Sequence, residues 1–180
     1  MVEQHKQRAK RIILEIIRQA GGIFDNKTNL YKAFYHAHLR FADTQPGYLS
    51  TWPIVRMTRG PGIDNFDVLL GELMAEGRVE TKQTDHGQHK GFRFLLRGEQ
   101  PECVDLPEGA IEAIAYGVAQ VLGKRAAQVS RESHEVSRAW RDAEDGDELN
   151  IYLDSLDEDE YQDYVRRARK IALEIEALSP

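Results

Sequence analysis

Apolar positions recur at helical spacing in the first twenty residues: Ala9, Ile12, Ile13, Ile16, Ile17 and Ala20 follow the i, i+3, i+4, i+7 rule, and Gly21-Gly22 ends the run. The opposite face carries Arg8, Lys10, Glu15 and Arg18. A second helix is expected from about Thr28, after Asp25-Asn26, with Leu30, Phe34, Ala37 and Phe41 as its stripe and Tyr31, Tyr35 and His38 beside it. A loop rich in Pro and Gly follows, from Pro46 to Gly62, with a short strand through Ile54-Val55. A third helix is expected from about Asp64 to Gly77, burying Phe66, Leu69, Leu70, Leu73 and Met74.

RVETKQT and FRFLL then read as two strands around a turn with Asp85, Gly87 and Gly91, giving a hairpin over about residues 78–96. Helix, glycine and polar hairpin in that order predict a winged-helix-like unit. Ile13, Ile16, Leu69, Leu73 and Phe94 are its expected shared core. Arg97 to Pro107 reads as a linker. Beyond it a helix should place Ile111, Ile114, Ala115, Val118 and Leu122 on one face before Gly123. A shorter helix over Arg125 to Arg131, another running past His134 to Trp140, and a strand-like LNIYLDSL come next. The last helix starts at Asp157, with acids in its first turn and Arg166, Arg167, Arg169 and Lys170 further on. Its stripe is Tyr161, Tyr164, Val165, Ala168, Ala172 and Ile175. The expected fold class is mainly α: a helical, winged-helix-like part at 1–97, a helical part at 98–156, and a C-terminal helix at 157–180.

Composition fits this picture: 41% hydrophobic and 30% charged residues describe a globular chain. One cysteine, Cys103, excludes an internal disulfide, and no apolar run approaches a membrane span. The first residues show no signal-peptide pattern, so a cytoplasmic location and no membrane partner are the expectation. Charge adds an asymmetry to the net −6. Residues 1–99 hold 15 Lys/Arg against 11 Asp/Glu, whereas residues 100–180 hold 9 against 19. Asp142 to Asp163 has eleven acids and no Lys or Arg. That field repels phosphates and suits a basic protein partner, or it is a solvated face that aids solubility.

Catalytic and metal chemistry find little purchase. His36 and His38 point about 200° apart on a helix. His86 and His89 flank a turn with no Cys beside them, so no metal is expected. Cys103 lies near Glu102 and Asp105, which raise a thiol pKa. Ser133 and His134 are adjacent, and their side chains diverge on a helix. Phosphate-binding glycine loops are missing, so neither an enzyme nor a cofactor is expected. The third helix offers Asp64, Asn65, Asp67, Glu72 and Glu76 and no Arg or Lys, a poor face for DNA, so weak or no nucleic-acid binding is expected. The hairpin, with Lys82, His86, His89, Lys90 and Arg93, is mildly basic and leaves a wing contact open.

Two polar-aromatic blocks remain. The first, Thr28 to Ile63, contains NLYKAFYHAHLRF and TWPIVRMTRGPGI; the second, Val129 to Ala143, contains VSRESHEVSRAW. In this order they resemble the Panacea domain, the SocA-like antitoxins of bacteria and their phages, over about residues 10–145. Two positions depart from that pattern: Arg59 stands where an aromatic usually precedes Gly-Pro, and Gly62 replaces a β-branched residue. The resemblance implies a non-enzymatic antitoxin that binds and neutralises a toxin protein, with some members acting as protease adaptors. Trp52, Arg56, Arg59, His134 and Trp140 are the candidate partner-binding residues, because Trp and Arg dominate interface hot spots. Both tryptophans also suit a core, and both arginines could instead satisfy the chain's own acidic segment. A winged-helix transcriptional regulator, a homodimer through the last helix, and a phage-associated structural protein stay open as alternatives.

Overall fold

In a computed structural model, which describes residues 2–86, 89–98 and 106–178, the chain is mainly α-helical with two small antiparallel sheets. Cys103 and Gly87 lie outside the described residues, as do the side chains of His86 and His89. Helix α1 (Val2–Gln19) buries Ile12, Ile13, Ile16 and Ile17 completely. Gly21 and Gly22, both at positive φ, end it, and the Gly22 amide donates to the Ile17 carbonyl at 2.9 Å. Strand β1 (Ile23–Asp25), which the sequence pattern does not announce, follows at once. Asn26 then caps helix α2 (Lys27–Thr44), its side chain accepting from the Asn29 amide at 2.8 Å.

Two short strands, β2 (Ile54–Met57) and β3 (Gly60–Ile63), pair as a hairpin where a loop with a single short strand is expected. Thr58 and Arg59 form its tip. Helix α3 (Phe66–Ala75) buries Phe66, Leu69 and Leu73, while Met74 lies on the exposed side. Strands β4 (Val79–His86) and β5 (His89–Leu96) complete a three-stranded sheet in the order β1-β5-β4. The expected core is present: Ile13, Ile16, Leu69, Leu73 and Phe94 share one cluster. Lys6 and Lys10 of α1 bind the Glu72 carboxylate of α3 at 2.9 and 3.2 Å, and Lys10 also bonds Glu76.

Helix α4 (Ala110–Val121) lies against α2 and adds its residues to the same cluster. Its inner face is Ala110, Ala113, Ile114, Gly117, Val118 and Val121, rotated from the expected stripe: Ile111, Ala115 and Leu122 face outward. The reason is close approach. A Cβ on Gly117 would sit 2.3 Å from the Ala33 carbonyl oxygen, so the two backbones meet where only glycine fits. Asn29 of α2 closes the joint by donating to the carbonyls of Val121 and Lys124 at 3.3 and 2.9 Å.

Helix α5 (Ala126–Val136) runs longer than expected and breaks at Ser137, which caps the short α6 (Arg138–Asp142). LNIYLDSL is not a strand: Ile151–Asp154 forms one 3-10 turn. Asp154 explains why, since its carboxylate accepts from Tyr35, Ser137 and the Ala139 amide at 2.7, 2.7 and 3.0 Å. Helix α7 (Glu158–Leu178) opens with a reciprocal capping box between Asp157 and Glu160, at 2.9 and 3.1 Å. Its stripe meets the rest of the chain at the start, where Tyr161 donates to Asp142 at 2.8 Å. Tyr164, Ile171, Leu173 and Ile175 are exposed. Among the described residues, no helix is long and apolar enough to cross a membrane.

Candidate functional site

The two polar-aromatic blocks, far apart in sequence, meet at the β2–β3 hairpin. Its backbone is held by side chains of α5 and α6. Ser130 donates to the Arg59 carbonyl at 2.9 Å, and the Trp140 indole N–H donates to the Met57 carbonyl at 2.8 Å. Gly60 of the first block sits at φ 94° against the second, and a Cβ there would lie 2.6 Å from Ser133 Oγ and 2.7 Å from Lys32 Nζ. Both the conformation and the packing therefore call for glycine at this position.

Four of the five candidate residues converge here. His134 stacks on Trp140 with ring centroids 3.8 Å apart and planes 6° from parallel. The Arg56 guanidinium lies over the same indole, 4.6 Å from its centroid. Arg56 also donates to the Trp140 carbonyl at 3.2 Å and pairs with Asp145, the contact with the chain's own acidic segment that the sequence leaves open. Its backbone pairs with the same segment: its amide donates to the Asp147 carbonyl, and its carbonyl accepts from the Gly146 amide. Arg59, three residues on, is exposed at the hairpin tip, and its side chain has no hydrogen-bond or ion-pair partner among the described residues. Trp52 stands apart from the cluster. Its indole donates to the Asp64 carbonyl at 2.8 Å, tying the start of the hairpin to the entry of α3.

Electrostatics around the junction are set by burial. Desolvation pulls the Lys32 ammonium down to about 7. The described partner of that ammonium is the Pro61 carbonyl at 2.5 Å, a dipole rather than a carboxylate. Desolvation also drives the His36 imidazole down to about 4, with Lys32 and Lys124 pushing the same way and Glu132 opposing. His134 shifts downward too, first by desolvation and then by Lys32, and its Nε2 is buried without a partner among the described residues.

Sequence reasoning misses one further pair. His38 and Ser50, twelve residues apart, are both buried with Nε2 and Oγ at 2.7 Å, while His38 Nδ1 bonds the Phe34 carbonyl at 2.8 Å. The carbonyl requires Nδ1 to donate, which leaves Nε2 to accept from the serine hydroxyl. This resembles a nucleophile–base arrangement, but burial holds the imidazole at about 4, so it resists taking the serine proton. The pair fastens the segment after α2 back onto that helix. Among the described residues, no three His, Cys, Asp or Glu side chains gather as a metal site.

Set against family models, curated proteins and solved structures, the chain finds no match.

Proposed function

We propose that this protein is a non-enzymatic binding module of the antitoxin type, which neutralises a protein toxin by direct contact. The carrying observation is α7, a 21-residue helix whose apolar positions recur at Tyr161, Tyr164, Val165, Ala168, Ile171, Ala172 and Ile175 while Tyr164, Ile171 and Ile175 face outward. Such a face has the period of a helix-in-groove ligand. A second copy is a poor match for it. Parallel pairing sets the acids at 157–163 against each other, and antiparallel pairing about Ala168 sets the Arg166–Lys170 cations together. A different protein suits the face better. The Panacea-like order of the two blocks supports the antitoxin reading, with Arg59 as an exposed contact beside the clasp of Arg56, His134 and Trp140; Trp52 braces the same hairpin.

A DNA-binding regulator has one observation in its favour, the winged-helix order α1-β1-α2, then α3-β4-β5, with the sheet order β1-β5-β4. Its recognition helix is unsuited to the task. The exposed positions of α3 are Asp67, Val68, Gly71, Met74 and Ala75, with no cation among them, and Glu72 is bound by lysines of α1. Co-expression with the product of the neighbouring gene tests the choice. Wild type should rescue growth and co-purify with that product, while an Ile171→Ser, Ile175→Ser variant with an unchanged melting temperature should do neither. Undiminished rescue by the variant, or sequence-selective DNA binding at nanomolar Kd in an anisotropy titration, would overturn the proposal.

A further inference from the structure

Between the N-terminus of α2, the β2–β3 tip and β5 lies a cleft of about 510 Å³, within the size range of small-molecule sites. The charge of its walls is unlike that of the chain as a whole. Net charge is −6, yet the lining contains Lys27, Lys32 and Arg59 and, among the described residues, no carboxylate. These cations differ in how well they are matched. Lys27 pairs with Asp67 at 2.6 Å. Lys32 is 1% exposed and meets the Pro61 carbonyl, and Arg59 projects from the tip with no partner among the described residues.

A buried ammonium is costly unless an anion or several acceptors surround it. Gly60 lets the hairpin backbone pack against that ammonium, since a Cβ there would begin 2.7 Å from Nζ, and Lys32 lines the cleft beside it. Helix α5 starts at Ala126 on the same cleft, and no side chain caps it. Thr28 and Thr58 also line the walls. Apolar side chains line the same cleft: Met57, Tyr31 and Phe92, of which Phe92 is 46% exposed.

We propose that this cleft seats a small organic phosphate carrying a planar ring, a mononucleotide in chemistry, with the phosphate between Lys32 and Arg59 and the ring against Phe92. A phosphate supplies the several acceptors that Lys32 lacks, and a guanidinium at the mouth binds it through paired N–H groups. Bound anion also restores the full charge of Lys32, so binding takes up protons near neutrality. The other titratable groups facing Lys32, His36 on its own helix and His134 on α5, are both shifted downward by burial and add little charge there. The site is independent of the outward face of α7.

Calorimetric titration of the full chain with AMP, inorganic phosphate and adenosine tests the seat. AMP should bind with Kd at or below about 1 mM. Inorganic phosphate should compete with it, and adenosine alone should give no measurable heat. Arg59→Ala should weaken AMP at least about tenfold at an unchanged melting temperature. Phe92→Ala should weaken AMP while leaving inorganic phosphate unaffected. Lys32→Met should abolish both, and if that variant does not fold, the other two carry the test. No AMP binding at about 10 mM, or AMP affinity unaltered in both Arg59→Ala and Phe92→Ala, overturns the proposal. Binding of a glutamate-rich peptide in place of AMP also overturns it, and assigns the cations to an acidic protein partner.

Discussion

Helices α1 and α7 carry the same apolar period and have opposite fates. In α1 the isoleucines at 12, 13, 16 and 17 are fully buried, whereas in α7 Ile171 and Ile175 are 55% and 61% exposed. Periodicity therefore reports which face of a helix seeks cover and does not report whether the same chain provides it. Arg56 and Arg59 repeat the contrast at short range: three residues apart, one is clasped by Trp140 and Asp145 and the other projects from the tip.

The contrast is sharpest in stability. Ile16→Ala should destabilise the fold by about 2–5 kcal/mol, because it opens a cavity in a close-packed core, while Ile171→Ala should change it by less than about 0.5 kcal/mol. Urea unfolding of the two variants measures this. A loss at Ile171 comparable to that at Ile16 would mean that α7 packs against its own chain in solution.

Lys32 tests the inner side by pH. Its folded pKa of about 7 lies below the ordinary lysine value of 10.5, so between those limits the unfolded chain binds a proton that the folded chain lacks. Stability from this group accordingly rises with pH above about 7, by at most about 1.4 kcal/mol per unit. Wild type should gain on Lys32→Met between pH 7 and pH 9 in denaturant midpoints. A constant difference would show that the ammonium is not desolvated.

Smaller still is the arginine pair. Arg56→Ala removes a stacked guanidinium and a hydrogen bond to the Trp140 carbonyl and should cost about 1–2 kcal/mol. Arg59→Ala should stay within about 0.5 kcal/mol of wild type. Equal losses in thermal or urea melts would remove the distinction between clasp and tip.

Much of the fold was legible where side chains announce their own periodicity. The isoleucine stripe of α1, the Phe66-Leu69-Leu73 face of α3 and the β4–β5 hairpin follow from spacing and glycine placement alone. What spacing misses are features set by contacts distant in sequence. Helix α4 turns a face of Ala110, Ala113, Gly117 and Val121 inward because α2 comes so close, and no local pattern encodes that approach. Strand β1 is three residues long and exists through pairing with β5. LNIYLDSL alternates like a strand, yet Asp154 must reach Tyr35, 119 residues away. The two blocks stand out in the sequence as unusual, but the role of Gly60 between Lys32 and Ser133 emerges in three dimensions alone.

The Gly117–Ala33 contact also governs the order in which the molecule can be made. Helix α2 leaves the ribosome long before α4, so Ala33 and Ala37 stay uncovered until the chain has been extended beyond Val121. During that interval the chain carries an apolar strip along α2 that its first half does not cover. A nascent chain paused or cleaved between residues 98 and 110 would keep that strip exposed, a ready target for chaperones and proteases. Completion of α4 ends the vulnerability, and the glycine at 117 is what lets it dock.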